Sequence, residues 1–139
     1  MKPHNVKVVQ YFFPESSVKA RQDHDPNGIS NGTKQKLSLN INEIPSENNM
    51  HGVMVRLSSI DDESENLPYS YSIETYGIFE PNDKSTDDLI QDYKSNIKVV
   101  SLQILVGAIR EHLASITSRG PWATFIAGAV NLSTLESDK

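Results

Sequence analysis

The sequence lacks cysteine altogether and lacks a long apolar run. Without cysteine there can be no disulfide bridge, zinc–thiolate site or thiol nucleophile, and the composition fits a reducing compartment. The longest apolar run, residues 104–109, is far shorter than the about 20 residues of a membrane span. Residues 1–5 lead into a strand pattern rather than the apolar core of a signal peptide. We therefore expect a cytoplasmic protein with no membrane segment.

Positive charge is also scarce. Thirteen lysines and arginines stand against eighteen acidic residues, which gives a net charge of −5, and the basic residues do not cluster. Nucleic-acid binding normally requires a basic patch, so neither nucleic acid nor an anionic membrane is predicted as a partner. A chain of 139 residues suits one domain, which we expect to span residues 1–139.

No motif indicates catalysis or metal binding. Residues 23–28 begin like an EF-hand loop, but Lys34 stands at the twelfth position, where that loop needs a bidentate glutamate. The adjacent Glu111 and His112 would point about 100° apart on a helix, which disfavours an acid–base pair. The four histidines lack the spacing of metal ligands: His4, His24, His51 and His112. We therefore expect a protein that is not an enzyme and that has no metal or cofactor.

The first half of the chain predicts four strands. Apolar residues alternate with polar ones around residues 37–41, 53–57 and 69–79, and a β-rich segment over residues 6–13 is predicted to end at Pro14. No helix is predicted between these strands. The pattern therefore indicates an antiparallel sheet with one open face.

The second half predicts helix. Ser85 is a plausible N-cap for a short helix over residues 86 to about 94. A longer helix is predicted from about residue 97 to residue 118, where Gly120 and Pro121 stop it. The predicted fold class is α+β: a four-stranded antiparallel sheet with a long helix and short flanking helices packed on one face.

The long helix carries apolar side chains around far more than the roughly 100° stripe that a surface helix needs. One side can pack on the sheet, and the other also requires cover. A partner subunit is the simplest explanation, and the alternative is a monomer that covers this side with its own C-terminal segment. The residues predicted to form an oligomer interface are Val99, Leu102, Leu105, Val106, Ile109 and Leu113.

Aromatic and apolar residues follow the helix stop. Trp122, Phe125 and Ile126 lie in a stretch rich in glycine and alanine. Two interpretations are open: these residues pack the linker onto the sheet, or they line a groove that accepts apolar segments of another chain.

A series of segments, in order along the chain, resembles the SecB family of export chaperones. Residues 104–120, ILVGAIREHLASITSRG, resemble the main helix of that family, and Pro121-Trp122 its crossover loop. Residues 129–132 resemble its entry to a C-terminal helix, and residues 76–79 the end of its fourth strand. Residues 36–40 and 53–57 are similar to its middle strands.

The resemblance implies a four-stranded antiparallel sheet, a long helix and a short C-terminal helix. It also implies a homo-oligomer, a dimer or a dimer of dimers joined through the long helices. The family function is to hold unfolded or partly folded polypeptides without ATP hydrolysis. Together with the apolar residues above, it suggests these polypeptide-binding residues: Tyr11, Phe13, Trp122, Phe125, Ile126, Leu132 and Leu135.

The sequence departs from the family pattern where the export ATPase docks. Gln10, Pro14 and Ser72 occupy the positions of acidic docking residues. Contact with the export ATPase is therefore not predicted. A dedicated adaptor, such as a chaperone for one antitoxin, stays open beside a general chaperone for unfolded chains.

Overall fold

The computed structural model describes residues 4–28, 34–45, 49–125 and, as backbone alone, 136–137. The strands are β1 (Val6–Ala20), β2 (Gln35–Glu43), β3 (His51–Ser59), β4 (Tyr69–Pro81) and β5 (Glu136–Ser137). The helix α1 (Asp87–Thr117) follows β4, and a single 3-10 turn (Asp61–Glu63) lies between β3 and β4. The predicted α+β class is confirmed.

The sheet has the strand order β1-β4-β3-β2-β5. The first four strands are antiparallel neighbours, as predicted, whereas β5 is a short parallel addition to β2 that the sequence did not indicate. Alternate residues of β4 are buried along its whole length. The apolar side of β2, β3 and β4 forms the core with α1, and the other side of the sheet is left open.

Strand β1 does not end at Pro14, contrary to the prediction. It continues to Ala20, and a register shift between Phe12 and Glu15 accommodates the proline. Because β1 is an edge strand, the missing proline N–H removes no bond that the sheet interior needs. The shift adds one residue to β1, as a β-bulge does.

The two predicted helices are one helix of 31 residues. No proline or glycine interrupts residues 94–97, and the Asn96 side chain bonds back to the carbonyl of Asp92 at 2.8 Å, within the helix. The N-cap is Thr86 rather than Ser85, since its hydroxyl accepts from the backbone N of Leu89 at 3.3 Å. The predicted C-terminal helix lies outside the described residues.

The buried side of α1 winds around the helix. Every fourth residue from position 93 to position 117 is buried: Tyr93, Ile97, Ser101, Leu105, Ile109, Leu113 and Thr117. Four residues turn a helix by about 400°, so each step moves the buried side about 40° around the axis. Different sides of α1 therefore face the sheet at its two ends, and the helix packs over β1, β4 and β3.

Because the buried side winds around α1, apolar side chains occur around much of the helix circumference. This is the feature that suggested a partner subunit. Leu102, Leu105, Ile109 and Leu113 are at most 2% exposed, so they belong to the core of the single chain and offer no accessible surface for an interface. Val106 is 9% exposed. Val99 alone of the six predicted interface residues is largely exposed, at 48%.

By length and composition α1 could also cross a membrane. Core helices of soluble proteins pass the same test. In this fold the buried side of α1 packs on its own sheet.

Candidate polypeptide-binding site

Tyr11 and Phe13 form a cleft with the C-terminal half of α1, which we call the aromatic cleft. The ring of Phe13 stacks on the imidazole of His112, with centroids 4.0 Å apart and an angle of 12° between the planes. Tyr11 presents its ring at 88° to Phe13, at 6.1 Å. The structure thus brings two predicted binding residues together on the helix side of β1.

Local backbone structure sets these rings in place. Phe13 lies within the bulge of β1, and Tyr11 pairs across the sheet with Gly77, whose missing side chain leaves room for Phe79 and Leu105 to pack against the strand. The Nε2 atom of His112 lies 3.0 Å from the hydroxyl of Ser16. The imidazole is therefore held on two sides, by a stacked ring and by a hydrogen bond.

The aromatic cleft has a volume of about 270 Å³. Its lining comprises Tyr11, Phe13, Ala108, Glu111, His112 and Ser115. Pockets for drug-sized ligands usually span about 300–1,000 Å³. The aromatic cleft is smaller and open, and Tyr11 stays 46% exposed, so it suits one bulky side chain of a longer partner.

Trp122 and Phe125 lie elsewhere, in a segment that we call the strap (residues 118–125). The indole N–H of Trp122 donates to the carbonyl of Arg21 at 2.8 Å. The backbone N–H of Phe125 donates to the Thr117 hydroxyl at 2.8 Å, and its ring lies 5.5 Å from that of Tyr71. The structure favours the interpretation in which these residues pack the linker onto the sheet. Ile126, Leu132 and Leu135 lie outside the described residues.

Exposed apolar side chains also occur at positions that the sequence analysis did not name as site residues: Val9, Phe12 and Ile116. In the described part of the chain the large exposed ones all lie on β1 and α1: Val9, Tyr11, Phe12, Val99 and Ile116. Phe12 faces the open side of the sheet and packs beside Tyr76 at 5.5 Å. Consecutive strand residues face opposite ways, so the run from Tyr11 to Phe13 required at least one aromatic ring on the open side.

A more polar cleft of about 530 Å³ lies where β1 ends. Its guanidinium group, on Arg21, is already paired with Asp23 at 2.9 Å and Asp61 at 3.4 Å. The hydrogen bond from Arg21 lowers the pKa of Asp23, and their charge attraction adds to this effect. The lining also includes Lys19, so two basic side chains are balanced by two acidic ones and the cleft has no net positive charge to attract an anion.

The segment that begins like an EF-hand loop is a hydrogen-bonded turn. The carboxylate of Asp25 accepts from the backbone N–H of Asn27 at 3.0 Å, and the side-chain amide of Asn66 donates to the Asp25 carbonyl at 2.8 Å. Across the described ranges, no three histidine or acidic side chains are grouped to hold a metal ion.

No protein-family model and no curated protein sequence matches the chain. A similar solved structure is the Mycobacterium tuberculosis SecB-like chaperone Rv1957 in complex with a ChAD peptide from the HigA1 antitoxin Rv1956. The match has a TM-score of 0.59 and 11% identity and covers 91% of each chain. The fold is SecB-like. A protein of unknown function from Streptococcus agalactiae gives a TM-score of 0.43 and 14% identity over 93% of this chain and 100% of that one.

On this SecB-like fold the bulge of β1 changes which residues share a face. Glu15 is the register partner of Glu74, and both lie on the open side with Ser72. A regular strand would have turned Glu15 toward the helix, because a shift of one residue reverses the face. Arg56 bonds Glu74 at 2.7 Å and so offsets the repulsion between the two carboxylates.

Proposed function

We propose that this chain is a non-catalytic chaperone or adaptor that binds extended apolar segments of other polypeptides without ATP. The observation that carries the proposal is the aromatic cleft, in which two aromatic rings of β1, one of them 46% exposed, lie against the C-terminal half of α1. The SecB-like fold supports it, since a solved protein of this fold is a chaperone in complex with a peptide.

The chemistry of the cleft suits an apolar anchor. A bulky client side chain would be buried against Tyr11 and Phe13, which contributes about 25 cal/mol per Å² of apolar surface removed from water. This burial has no directional requirement, so chains of different sequence can use the same cleft. Because His112 is already held by Phe13 and Ser16, little side-chain entropy is lost on binding.

A chaperone or adaptor dedicated to one partner is the second candidate. The antitoxin peptide in the solved SecB-like complex favours it, as does a cleft sized for a single anchor residue. A pull-down would recover one stoichiometric partner in this case and many unfolded polypeptides in the case of a general chaperone.

We further propose that the protein is cytoplasmic and acts as a homo-oligomer, a dimer or a tetramer. The exposed apolar side chains on β1 and α1, Val99 among them, support an assembly in which other copies cover them.

Aggregation of reduced lysozyme tests the proposed function. We expect the protein to suppress light scattering at a small molar excess. Phe13→Ser removes the stacked ring, and we expect suppression to require about tenfold more protein, as loss of a hot-spot residue predicts. Phe12→Ser is the matched control, because Phe12 is 48% exposed on the opposite face of the same strand.

Thermal melts of both variants separate loss of the cleft from loss of the fold. If the wild-type protein fails to suppress aggregation at several-fold excess, the proposed holding activity is contradicted. Equal loss in the two variants, with both folded, would place binding somewhere other than the aromatic cleft.

A further inference from the structure

The outer edge of β2 is a regular strand edge. All nine residues of β2 pair with β3 in unbroken antiparallel register. Edge strands normally avoid further pairing through bulges, prolines or charges. The opposite edge strand, β1, has two register shifts and Pro14, whereas β2 has neither a proline nor a bulge. The β2 edge is thus the better template for an added strand.

The chain itself already places a strand there. Glu136 pairs with Ser38 and Ser137 with Leu39, in parallel orientation. The pairing is limited to these two positions, and residues 40–43 have no strand partner on their outer side within the described part of the chain. Asn42 and Glu43 are exposed, and Asn40 and Ile41 are half-buried. The edge is therefore occupied by a short strand and still accessible beyond it.

We propose that the β2 edge binds an extended segment of a client polypeptide as an added strand, and that β5 competes with the client for this edge. The inference rests on the proposed polypeptide-binding function and adds a second contact to the aromatic cleft. Backbone hydrogen bonds supply affinity in strand addition, and alternate side chains supply preference. Leu37, Leu39 and Ile41 lie on the core side of β2, so the client segment carries apolar residues at every second position.

Two paired residues make β5 a weak competitor. A ligand whose site is free for only a fraction of the time binds with an affinity reduced by that fraction. Weakening β5 should therefore raise client affinity, and fixing β5 in place should lower it. If the β2 edge has no role in binding, neither change will alter client affinity.

A proline substitution in the full-length chain tests whether weakening β5 raises client affinity. Ser137→Pro removes a backbone N–H from β5, and Ser137→Ala is the matched control that keeps it. The probe is a fluorescein-labelled peptide of alternating valine and serine flanked by lysines. We expect Ser137→Pro to raise its affinity about three- to tenfold, the size expected for loss of one or two hydrogen bonds. Ser137→Ala should bind like the wild type.

A disulfide between β2 and β5 tests whether fixing β5 in place lowers client affinity. The chain has no cysteine of its own, so Ser38→Cys with Glu136→Cys introduces a single pair. Neighbouring strands lie about 5 Å apart, within the roughly 4.4–6.8 Å between the Cα atoms of a disulfide. We expect oxidation to lower peptide affinity about tenfold or more and reduction to restore it. Failure of the disulfide to form would contradict the β2–β5 pairing itself.

The outcomes separate this inference from the proposed function. If wild-type protein binds peptide and suppresses aggregation but neither change alters affinity, strand addition at β2 is wrong and the proposed function stands. If wild-type protein neither binds peptide nor suppresses aggregation, the proposed function fails and strand addition fails with it. If Ser137→Pro increases self-association without a gain in peptide affinity, the edge accepts a second copy of the chain, which also overturns the inference.

Discussion

Two tyrosine side chains, Tyr71 on β4 and Tyr93 on α1, are buried between the sheet and the helix, and each donates its hydroxyl hydrogen to a specific acceptor. Tyr71 donates to the side-chain oxygen of Gln35 at 2.7 Å, and Tyr93 donates to the carbonyl of Phe79 at 3.0 Å. Burial raises the pKa of Tyr71 to about 12, with a smaller contribution from the negative charge of Asp61. Burial raises the pKa of Tyr93 as well. Both residues are therefore neutral in the folded protein at neutral pH, and ionisation of either would destabilise the fold.

We predict a specific loss of stability in alkali. As pH rises past the ordinary tyrosine pKa of 10.0, Tyr71 ionises in the unfolded chain before it does so in the folded chain. The unfolded state then binds fewer protons, so the free energy of unfolding falls between about pH 10 and pH 12. Tyr71→Phe cannot ionise, and its urea denaturation curves should show a smaller fall over this range. A fall of equal size in Tyr71→Phe would contradict the assignment.

At this scale the alternation of a strand predicts side-chain direction only where β1 is regular, between its register shifts at Val8/Gln10 and Phe12/Glu15. Tyr11 and Phe13 fall on one face and Phe12 on the other, as a period of two requires. Beyond Pro14 that rule fails, because the bulge adds a residue and turns Glu15 toward the open side. Nothing in the residues around Pro14 distinguishes a strand that ends from an edge strand that bulges and continues.

Among the elements, the strap is held by two buried hydroxyl groups. The Tyr69 hydroxyl donates to the carbonyl of Ala123 at 2.9 Å and accepts from the backbone N–H of Trp122 at 3.0 Å. The Thr117 hydroxyl accepts from the backbone N–H of Phe125 at 2.8 Å. The end of α1 is thereby tied to the start of β4. These bonds hold the strap on the folded domain, and Phe125 packs against the core.

We predict that Tyr69→Phe detaches the strap. Phenylalanine preserves the ring and removes both hydrogen bonds, at a cost of about 1–3 kcal/mol in the free energy of unfolding. Trp122 is the only tryptophan, so its fluorescence reports on the strap directly, and its emission should shift to longer wavelength. Tyr76→Phe, on the open side of the sheet, is the control and should leave the emission unchanged. An unshifted spectrum in Tyr69→Phe would refute this description of the strap.

The helix shows what the sequence could and could not reveal at the scale of elements. Its length was underestimated because the polar stretch around Ser95 and Asn96 looks like a boundary, yet Asn96 bonds within the helix. Buried residues recur at every fourth position from 93 to 117, and five of these seven residues are apolar or aromatic, a spacing that can be read from the sequence. Only the structure shows that residues at this spacing all face the core, because the core-facing side of α1 changes along its length. A search for one fixed stripe therefore predicted an interface at residues that are core.

For the molecule as a whole, the proposed assembly would use the apolar side chains that the described part of the single chain leaves exposed. We predict that the wild-type protein is a dimer or larger and that Val99→Asp lowers its mass in light scattering, because the charge would have to be desolvated at a covered surface. Leu105→Asp should instead unfold the chain, since Leu105 is fully buried. A wild-type monomer, or an unchanged assembly in Val99→Asp, would contradict the proposed oligomer surface.

The central claim is that unfolded polypeptide binds at the aromatic cleft, and site-specific photocrosslinking tests it most directly. A benzophenone amino acid replaces Tyr11 in one variant and Phe12 in another, and each is irradiated with reduced, carboxymethylated lysozyme or with native lysozyme. The account predicts crosslinks from position 11 to the unfolded polypeptide, few from position 12, and none to the native protein. Absence of crosslinks from position 11, or equal yields from the two positions, would contradict it.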